Sequence, residues 1–400
     1  MIKVCVIGLG YVGLPICLKI SKYFNTVGFD VNKDRIQLLN RGLDINNEFK
    51  KKDFIKKKIF FSSDEKDLTK CNFFIICVPT PITKSKKPDL FSVEQSFKAI
   101  SMVLKKNDII VLESTVFPGV TRSCIKKIEI KTKLKNNKDF FTCYSPERIN
   151  PGDKEFELSK INKILAYEGK DRKTKEKLKI IYSKICKKII FTNRIEEAET
   201  AKGIENIQRD INIALYNEIL LICRKLNLNF NEVIRLASTK WNFIKFSPGL
   251  VGGHCLPVDP YYLTYIANKN NYKSKVTLAG RAINESMKNY VINFTLDKIK
   301  QIAPKNKKIK ICLIGLTYKY GVSDTRNSLN LQILQILKTR YKNVVGYDPF
   351  LNDKKFNNLE NFNDKSFYIF LSKGKKFEKI YKKIKNKKKI IDPFSYYSNF

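Results

Sequence analysis

The sequence predicts an α/β fold in which two doubly wound parallel sheets are joined by a central domain of long helices. Short apolar segments alternate with helical ones in the first third of the 400-residue chain and again towards its end. The apolar segments are largely continuous, which is typical of parallel strands covered on both faces. Between the two regions, residues 196–226 have apolar side chains at helical spacing and no proline, which predicts one long helix.

The first region contains the candidate strands of the larger sheet. They are residues 3–7, 26–30, 72–78, 108–113 and 140–144, with a further strand at 188–191. The strands that end at residues 78, 113 and 144 lead into loops rich in Pro, Gly or polar residues: PTPITKSKKPD, STVFPG and SPERINPGD. In a doubly wound sheet such loops gather at the carboxyl edge of the strands, where ligands bind.

A second sheet pattern follows the helical region. A strand at 308–316 leads into the loop TYKYGVSDTRNS and a helix near 329–338, and two more strands are predicted at 344–349 and 388–394. We therefore expect three domains: a sheet domain at 1–194, a helical central domain at 195–300, and a smaller sheet domain at 301–400.

The charge of the chain is strongly basic, with 77 Lys and Arg against 38 acidic residues and a formal net charge of +39. Nucleic-acid readers favour Arg for bidentate contacts, but only 12 of these residues are Arg and the lysines are scattered along the whole chain. We therefore expect no specific nucleic-acid partner. Without an apolar run long enough to cross a bilayer or a signal-peptide pattern, we expect a cytoplasmic protein and no membrane partner.

The ten cysteines form neither a CxxC pair nor a cluster with histidine, so we expect no metal site. Several lie in apolar, strand-like segments, where buried thiols are usually inert. Cys255 is the exception, because it lies in a glycine-rich loop.

The first motif that carries chemistry opens the chain. KVCVIGLGYVGLP is a strand followed by Gly8, Gly10 and Gly13 at the GxGxxG spacing and by a helix start. Such glycines let the backbone approach a pyrophosphate, which the helix N-terminus also attracts. Asp30, at the end of the second strand, lies where an acid accepts the adenosine ribose hydroxyls, which favours NAD over NADP. The alternative is a set of ordinary turn glycines. We expect both sheet domains to be Rossmann-like.

The second motif is GGHCLPVDPYYL at residues 252–263. Cys255 is a candidate nucleophile, and Asp259 follows four residues later. A buried structural cysteine with a turn-capping aspartate explains this segment equally well on its own. A Cys–His protease pair with His254 is a weaker interpretation, because neighbouring residues seldom point their side chains together.

Three further groups are ambiguous when each is taken alone. Lys202 and Asn206 are spaced i, i+4 on the long predicted helix, which also fits a solvated helix face. Thr115 and Glu147 follow predicted strands, where loop capping is an alternative role. Lys319, with Asp324 and Arg326, could bind phosphate or form a surface ion pair.

In combination, the motifs resemble the UDP-glucose/UDP-N-acetylhexosamine 6-dehydrogenase family over essentially the full length of the chain. The segments that carry the resemblance are GLGYVGLP, VPTP, ESTVFPG, SPERINPGD, AKGIENIQRD, GLVGGHCLPVDPYYL and GLTYKYGVSDTRNS. They occur in the family's order and at its spacing. The resemblance implies an NAD-binding domain, a helical dimerisation domain, a UDP-binding domain and a homodimer.

The resemblance also implies roles for individual residues. Cys255 would be the nucleophile, Lys202 and Asn206 would stabilise oxyanions, Asp259 with Thr115 would handle protons, and Glu147 would assist thioester hydrolysis. The implied cofactor contacts are Gly8, Gly10, Tyr11, Val12, Gly13, Asp30, Arg35, Thr80, Thr115 and Arg326. The implied substrate contacts are Glu147, Arg148, Lys202, Asn206, Lys240, Phe246, Gly249, Gly252, Gly253 and Lys319.

The reaction implied is a four-electron oxidation of a sugar C6 alcohol to a carboxylate, through a thiohemiacetal and a thioester on Cys255. SPERINPGD and the stretch before Cys255 resemble the UDP-N-acetylhexosamine branch, and Val258 stands where UDP-glucose enzymes usually have Lys. We therefore expect UDP-N-acetylglucosamine or UDP-N-acetylgalactosamine as substrate and a precursor of surface polysaccharide as product. UDP-glucose is the alternative substrate. More distant alternatives are a β-hydroxyacid dehydrogenase and a nonenzymatic basic protein that binds nucleic acid.

Overall fold

The computed structural model describes residues 1–46, 48–55, 57–149, 158–303, 309–351, 353, 356 and 366–397. The chain forms two compact units. The first comprises Met1–Glu205 and Tyr261–Tyr272, and the second comprises Asn206–Pro260 and Lys273–Phe400.

The first unit is built on an eight-stranded sheet. Its elements in chain order are β1 Lys3–Ile7, α1 Gly13–Ile20, β2 Asn25–Phe29, α2 Lys33–Asn40, β3 Ile59–Ser62, β4 Phe73–Ile76, α3 Phe91–Val103, β5 Ile109–Leu112, α4 Val120–Thr132, β6 Phe141–Tyr144, β7 Asn162–Ala166, α5 Arg172–Tyr182 and β8 Lys188–Thr192. The strand order is β3-β2-β1-β4-β5-β6-β7-β8. Every neighbouring pair is parallel except β6 and β7, which meet antiparallel at Tyr144 and Ala166.

The apolar strands of this sheet are buried on both faces. Val4 and Val6 of β1 belong to one hydrophobic cluster, while Cys5 and Ile7, which point to the opposite face, belong to another. Helices therefore cover both faces, as the continuous apolar segments of the sequence predicted.

The second unit contains a four-stranded sheet. α6 Ile195–Lys225 begins in the first unit and ends in the second. α8 Asp259–Lys269 begins in the second unit and ends in the first. The remaining elements are α7 Phe230–Ala237, α9 Lys275–Ile302, β9 Lys310–Ile314, α10 Leu329–Arg340, β10 Asn343–Tyr347, β11 Ser366–Phe370, α11 Lys375–Lys383 and β12 Ile390–Ile391. The strand order is β10-β9-β11-β12, with all pairs parallel.

The predicted fold class is confirmed, and three strands were missed. β3 and β7 of the first unit and β11 of the second were not predicted, and the sheet of the first unit is mixed rather than purely parallel. Residue 308 of the predicted strand 308–316, and residues 150–153 of the loop SPERINPGD, lie outside the described residues. None of the helices in the described ranges combines the length and apolar character needed to cross a membrane.

The turn between β1 and α1 yields a test of the fold. A Cβ added at Gly13 would lie 1.8 Å from the carbonyl oxygen of Gly8, so backbone must move to accommodate it. Gly13→Ala is therefore expected to lower the free energy of unfolding by about 1–3 kcal/mol in urea denaturation.

Gly10→Ala is the matched control, because a Cβ there meets nothing within 4 Å. Its free energy of unfolding is expected to stay within about 0.5 kcal/mol of that of the parent. If the two variants proved equally stable, the steric account of Gly13 would be wrong.

Candidate active site

The glycine-rich loop of the first unit has the geometry of a phosphate-binding turn. Gly8 has a φ of +88°, and a Cβ there would lie 2.8 Å from the carbonyl oxygen of Cys77. Val12 precedes α1, and no side chain caps the helix. The uncapped N–H groups of the first turn suit an anion, and the open space at Gly10 lets one approach.

Asp30 and Arg35 both hold the backbone of this loop. Asp30 Oδ2 accepts a hydrogen bond of 2.8 Å from the amide of Leu9, and Arg35 Nε donates to the carbonyl of Leu9 at 2.7 Å. Arg35 is buried and also pairs with Asp44 at 3.2 Å. Its Nη1 has no hydrogen-bond partner among the described residues. The two residues predicted to contact the cofactor therefore also shape the loop that would carry it.

Two more predicted cofactor residues follow strands of the same sheet. The carbonyl of Thr80 accepts a hydrogen bond of 2.9 Å from the hydroxyl of Tyr262 in α8. Thr115 lies just after β5, next to Ser114, whose hydroxyl donates to the carbonyl of Val78 at 2.7 Å. The strand ends thus bring these loops to one edge of the sheet.

Glu147 and Arg148 lie in the loop after β6. Glu147 is 7% exposed, and its Oε1 accepts from the backbone amides of Arg148 and Ile149. Arg148 forms an ion pair with Glu205 in α6. That pair already engages part of the guanidinium predicted to contact substrate.

The part of α6 within the first unit carries Lys202, which is buried. One turn earlier, the buried carboxylate of Glu199 accepts hydrogen bonds from the amides of Gly119 and Thr121 and from the hydroxyl of Thr121. Burial raises the pKa of Glu199 to about 7. These contacts tie the N-terminal end of α4 to α6, and no sequence pattern predicted them.

The second unit holds Cys255 in a turn that leads into α8. The carbonyl of Cys255 accepts hydrogen bonds from the amides of Val258 at 3.0 Å and Asp259 at 2.8 Å. Asp259 is buried, and its Oδ2 accepts a hydrogen bond from Asn206 Nδ2 in α6. Three of the four residues predicted to surround the reacting carbon, Cys255, Asp259 and Asn206, are thus linked within one unit.

The loop 246–253 before Cys255 is held by residues that sequence reasoning missed. Asn217 Nδ2 donates to the carbonyl of Gly249 at 3.0 Å, and Asn217 Oδ1 accepts from the amide of Gly249 at 2.8 Å. Phe246 packs on Tyr216, with ring centroids 6.2 Å apart. Asn217 lies about three helical turns after Asn206 on the same face of α6, but no pattern in the sequence connects it with this loop.

Both glycines that precede His254 are required by close contacts. A Cβ at Gly252 would lie 2.9 Å from the carbonyl oxygen of Asn327. Gly253 has a φ of +88°, and a Cβ there would lie 2.8 Å from the ring of Tyr318. The glycines that precede Cys255 therefore let the loop pass close to the segment after β9.

The remaining predicted residues of the second unit lie around the same segment or are exposed. Lys319 is half-buried, and its carbonyl accepts a hydrogen bond from the hydroxyl of Thr317. Arg326 forms a two-pronged contact with Asp324 and a hydrogen bond of 3.2 Å with His254 Nδ1. Lys240 is exposed beyond the end of α7. Arg326 and Asp324 thus form an ion pair in which the carboxylate is buried.

Asp348 is a further residue that was not singled out. It follows β10, and its Oδ2 accepts hydrogen bonds from the amides of Leu316 at 2.8 Å and Thr317 at 3.0 Å. Asp30 makes the same kind of contact with Leu9 in the first unit. The segment GYDP, which ends a predicted strand with an acid as VGFD does, was the available signal.

The comparisons with known proteins show the family of the chain. The NAD binding domain of the UDP-glucose/GDP-mannose dehydrogenase family matches residues 2–186, its central domain matches 196–286, and its UDP binding domain matches 312–398. The chain belongs to the UDP-glucose/GDP-mannose dehydrogenase family. The predictions of an NAD-dependent UDP-sugar dehydrogenase and of NAD as cofactor are therefore confirmed at the level of the family.

Members of this family from several organisms are similar to the chain. The UDP-N-acetyl-D-glucosamine 6-dehydrogenase of Pseudomonas aeruginosa is 41% identical over 354 residues, which covers 88% of this chain and 83% of that protein. The protein of the same name from Salmonella typhi is 40% identical over 357 residues, with the same coverage, 88% and 83%. A solved structure of a UDP-D-ManNAc dehydrogenase from Pyrococcus horikoshii has a TM-score of 0.85 at 30% identity and covers 94% of this chain and 90% of that one.

The first unit of this dehydrogenase fits NAD. The loop offers open space at Gly10, uncapped amides at the start of α1, and an unpaired nitrogen of Arg35 among the described residues. An acid at position 30 disfavours a ribose phosphate at the same place. These features match a pyrophosphate and an unmodified ribose.

Among the thiols of this dehydrogenase, Cys255 stands apart. All ten cysteines lie in the described part of the chain and none forms a disulfide; nine are buried, and Cys255 is partly exposed. Burial raises the pKa of Cys124 to about 12 and also raises that of Cys143. The pKa of Cys71 is lowered, chiefly by a hydrogen bond with Cys5, but its sulfur is shielded from solvent.

This difference predicts the order of alkylation. Brief treatment of the native protein with iodoacetamide is expected to modify Cys255 first, because reaction requires an accessible thiolate. Peptide mass spectrometry would report the site. Modification of Cys71 before Cys255 would show that a lowered pKa, and not access, determines reactivity here.

Proposed function

We propose that the chain oxidises the C6 hydroxyl of a UDP-N-acetylhexosamine to the uronate in two successive oxidations, with Cys255 as covalent nucleophile. The observation that carries the proposal is the arrangement around Cys255. It is the only partly exposed thiol among ten, and it lies on the turn that presents Asp259 to Asn206. A covalent thiohemiacetal retains the aldehyde within the enzyme between the two oxidations.

The proposed roles follow from the chemistry of each side chain. Bound NAD supplies the acceptor for the hydride that leaves C6 in each oxidation. Asp259, with Thr115, takes the proton of the C6 hydroxyl. The ammonium group of Lys202 and the amide of Asn206 stabilise the oxyanions that develop at C6. The thiolate of Cys255 attacks the aldehyde, and Glu147 assists the water that releases the acid.

The remaining residues would bind the two ligands. We assign the cofactor to the glycine loop with Asp30, Arg35 and Thr80, and its further contact to Arg326. We assign the nucleotide sugar to Arg148, Lys319, Lys240 and the loop 246–253. A basic surface favours the approach of both anionic ligands.

The N-acetylhexosamine branch is supported by sequence and by relatives. Val258 occupies the position where UDP-glucose enzymes usually carry Lys. The relatives from Pseudomonas aeruginosa and Salmonella typhi are named UDP-N-acetyl-D-glucosamine 6-dehydrogenases. UDP-N-acetylglucosamine is therefore our first choice and UDP-N-acetylgalactosamine the second. The structural similarity to a UDP-D-ManNAc dehydrogenase adds the manno epimer as a substrate to test. We propose a cytoplasmic enzyme whose product feeds surface polysaccharide.

The proposed reaction predicts how many NADH form per sugar oxidised. With limiting UDP-N-acetylglucosamine, the purified protein is expected to yield about two NADH per sugar, since the oxidation removes four electrons. Absorbance of NADH and analysis of the product would measure this. UDP-N-acetylgalactosamine, UDP-N-acetylmannosamine and UDP-glucose would be assayed in parallel. Two NADH from UDP-glucose alone would overturn the substrate proposal, and one NADH per sugar would remove the thioester.

Cys255→Ala is expected to abolish the second oxidation and the covalent adduct. Cys223→Ala is the matched control, because it makes the same substitution at a buried thiol of the same unit. It is expected to retain the activity of the parent. Equal turnover by both variants would favour chemistry without a covalent intermediate.

We also propose that the enzyme is a homodimer formed by its second unit. α6 carries exposed Leu215 and Ile222, seven residues apart and therefore on one face. After α7, Trp241 is 91% exposed and Ile244 is 71% exposed. Four large apolar side chains exposed in one unit indicate a protein interface. A second copy of the chain would cover them.

The double variant Leu215→Lys/Trp241→Lys is expected to be a monomer in sedimentation velocity, because burying two added charges opposes association. Ile130→Lys is the control, since Ile130 is 72% exposed but lies on α4 of the first unit. That variant is expected to sediment as the parent does. A dimeric double variant would place the interface elsewhere.

A further inference from the structure

A buried ion pair lies beside the loop that carries Glu147. Lys163 of β7 and Glu113 at the end of β5 are both fully buried, and Lys163 Nζ donates to Glu113 Oε2 at 2.6 Å. The hydroxyl of Tyr182 in α5 donates to the other oxygen of Glu113 at 2.6 Å. A buried charge needs partners of this kind, because its desolvation is otherwise unfavourable.

The same ammonium group reaches the Glu147 loop at two points. Lys163 Nζ donates to the carbonyl of Pro146 at 3.0 Å and lies 3.8 Å from Glu147 Oε2. Oε1 of Glu147 is held by two backbone amides, whereas Oε2 is buried and has no hydrogen-bond partner among the described residues. Oε2 is therefore the oxygen that can take a proton.

The charges of the cluster are unequal, with two carboxylates around one ammonium group. Burial raises the pKa of Glu113 to about 7. Burial alone would lower the pKa of Lys163, but the carboxylates of Glu113 and Glu147 outweigh it and raise that pKa. Lys163 thus stays charged although it is fully buried.

The other titratable groups that face the cluster are neutral near pH 7. Burial raises the pKa of Tyr182 in α5, of Cys77 after β4, of Cys143 in β6 and of Cys186 after α5. Among these groups, Lys163 supplies the positive charge.

We propose that Lys163 is a positioning residue for thioester hydrolysis, which fixes the Pro146–Glu147 turn and supplies the positive charge that the Glu147 carboxylate requires. The inference rests on the proposed function, because it assumes a thioester on Cys255. In this step the oxygen of water bonds to the thioester carbon as the C–S bond breaks. One proton of the water passes to Glu147 Oε2, and the electron pair leaves with the Cys255 sulfur. No oxidant takes part.

The test is the fate of the thioester in Lys163→Met. Rapid quenching and intact-protein mass spectrometry would follow the adduct during a single turnover. Hydrolysis is expected to slow by about 10-fold or more, so the adduct accumulates. The two oxidations are expected to keep the rate of the parent, because Glu147 acts only in the release of the acid.

Two single variants serve as controls. Lys160→Met makes the same substitution at an exposed lysine three residues earlier and is expected to behave as the parent. Lys163→Arg keeps the charge and is expected to recover part of the hydrolysis rate. A purely structural role for Lys163 would slow the two oxidations as well as the hydrolysis.

The double variant Glu113→Gln/Lys163→Met removes both buried charges together and keeps an acceptor for Tyr182. It replaces Lys163→Met in this experiment if that single variant does not fold. The adduct is expected to accumulate in it as well. A folded variant of either kind that hydrolyses the thioester at the rate of the parent would overturn the inference. If Glu147→Gln gives no adduct and the parent yields one NADH per sugar, the proposed function fails instead.

Discussion

Parallel strands bring every following loop to the carboxyl edge of one sheet, and this constraint determines where the chemistry of the first unit can lie. β1, β4, β5 and β6 are consecutive neighbours in the sheet, although residues 8–72 separate β1 from β4 in the sequence. The loops after them carry the glycine turn, Thr80, Thr115 and Glu147. Asp30 accepts a hydrogen bond from the amide of Leu9, Arg35 donates one to its carbonyl, and these contacts fix the first of these loops to the end of the neighbouring β2.

Both sheets use the same device to shape the loop after their first strand. Asp30 follows β2 and holds the amide of Leu9, and Asp348 follows β10 and holds the amides of Leu316 and Thr317. In each case a carboxylate accepts from backbone groups that the turn leaves without partners. An acid at this position therefore shapes the loop whether or not it binds a ligand, and the sequence predicted only the binding role of Asp30.

The sequence could predict the elements that depend on local pattern. The apolar strands and the helix at 196–226 were found because burial on both faces leaves a continuous apolar run. β7 was missed because Lys163 interrupts it and a lysine in a short strand usually indicates an exposed face. The residue that compensates its charge, Glu113, lies fifty positions earlier. Likewise Asn217, which holds Gly249, cannot be recognised until α6 and the loop 246–253 are placed together.

The shortage of histidine makes such buried contacts important for acid–base chemistry. The chain has one histidine, and the structure places its ring against Arg326 and near Asp324 in the second unit. Histidine is the side chain that ordinarily titrates near neutral pH, so a dehydrogenase without a second one must adjust carboxylates instead. Burial does this for Glu113, whose pKa rises to about 7. The Lys163 ammonium group makes the burial of both carboxylates tolerable, and in the proposed hydrolysis it acts by holding Glu147, the carboxylate that takes the proton.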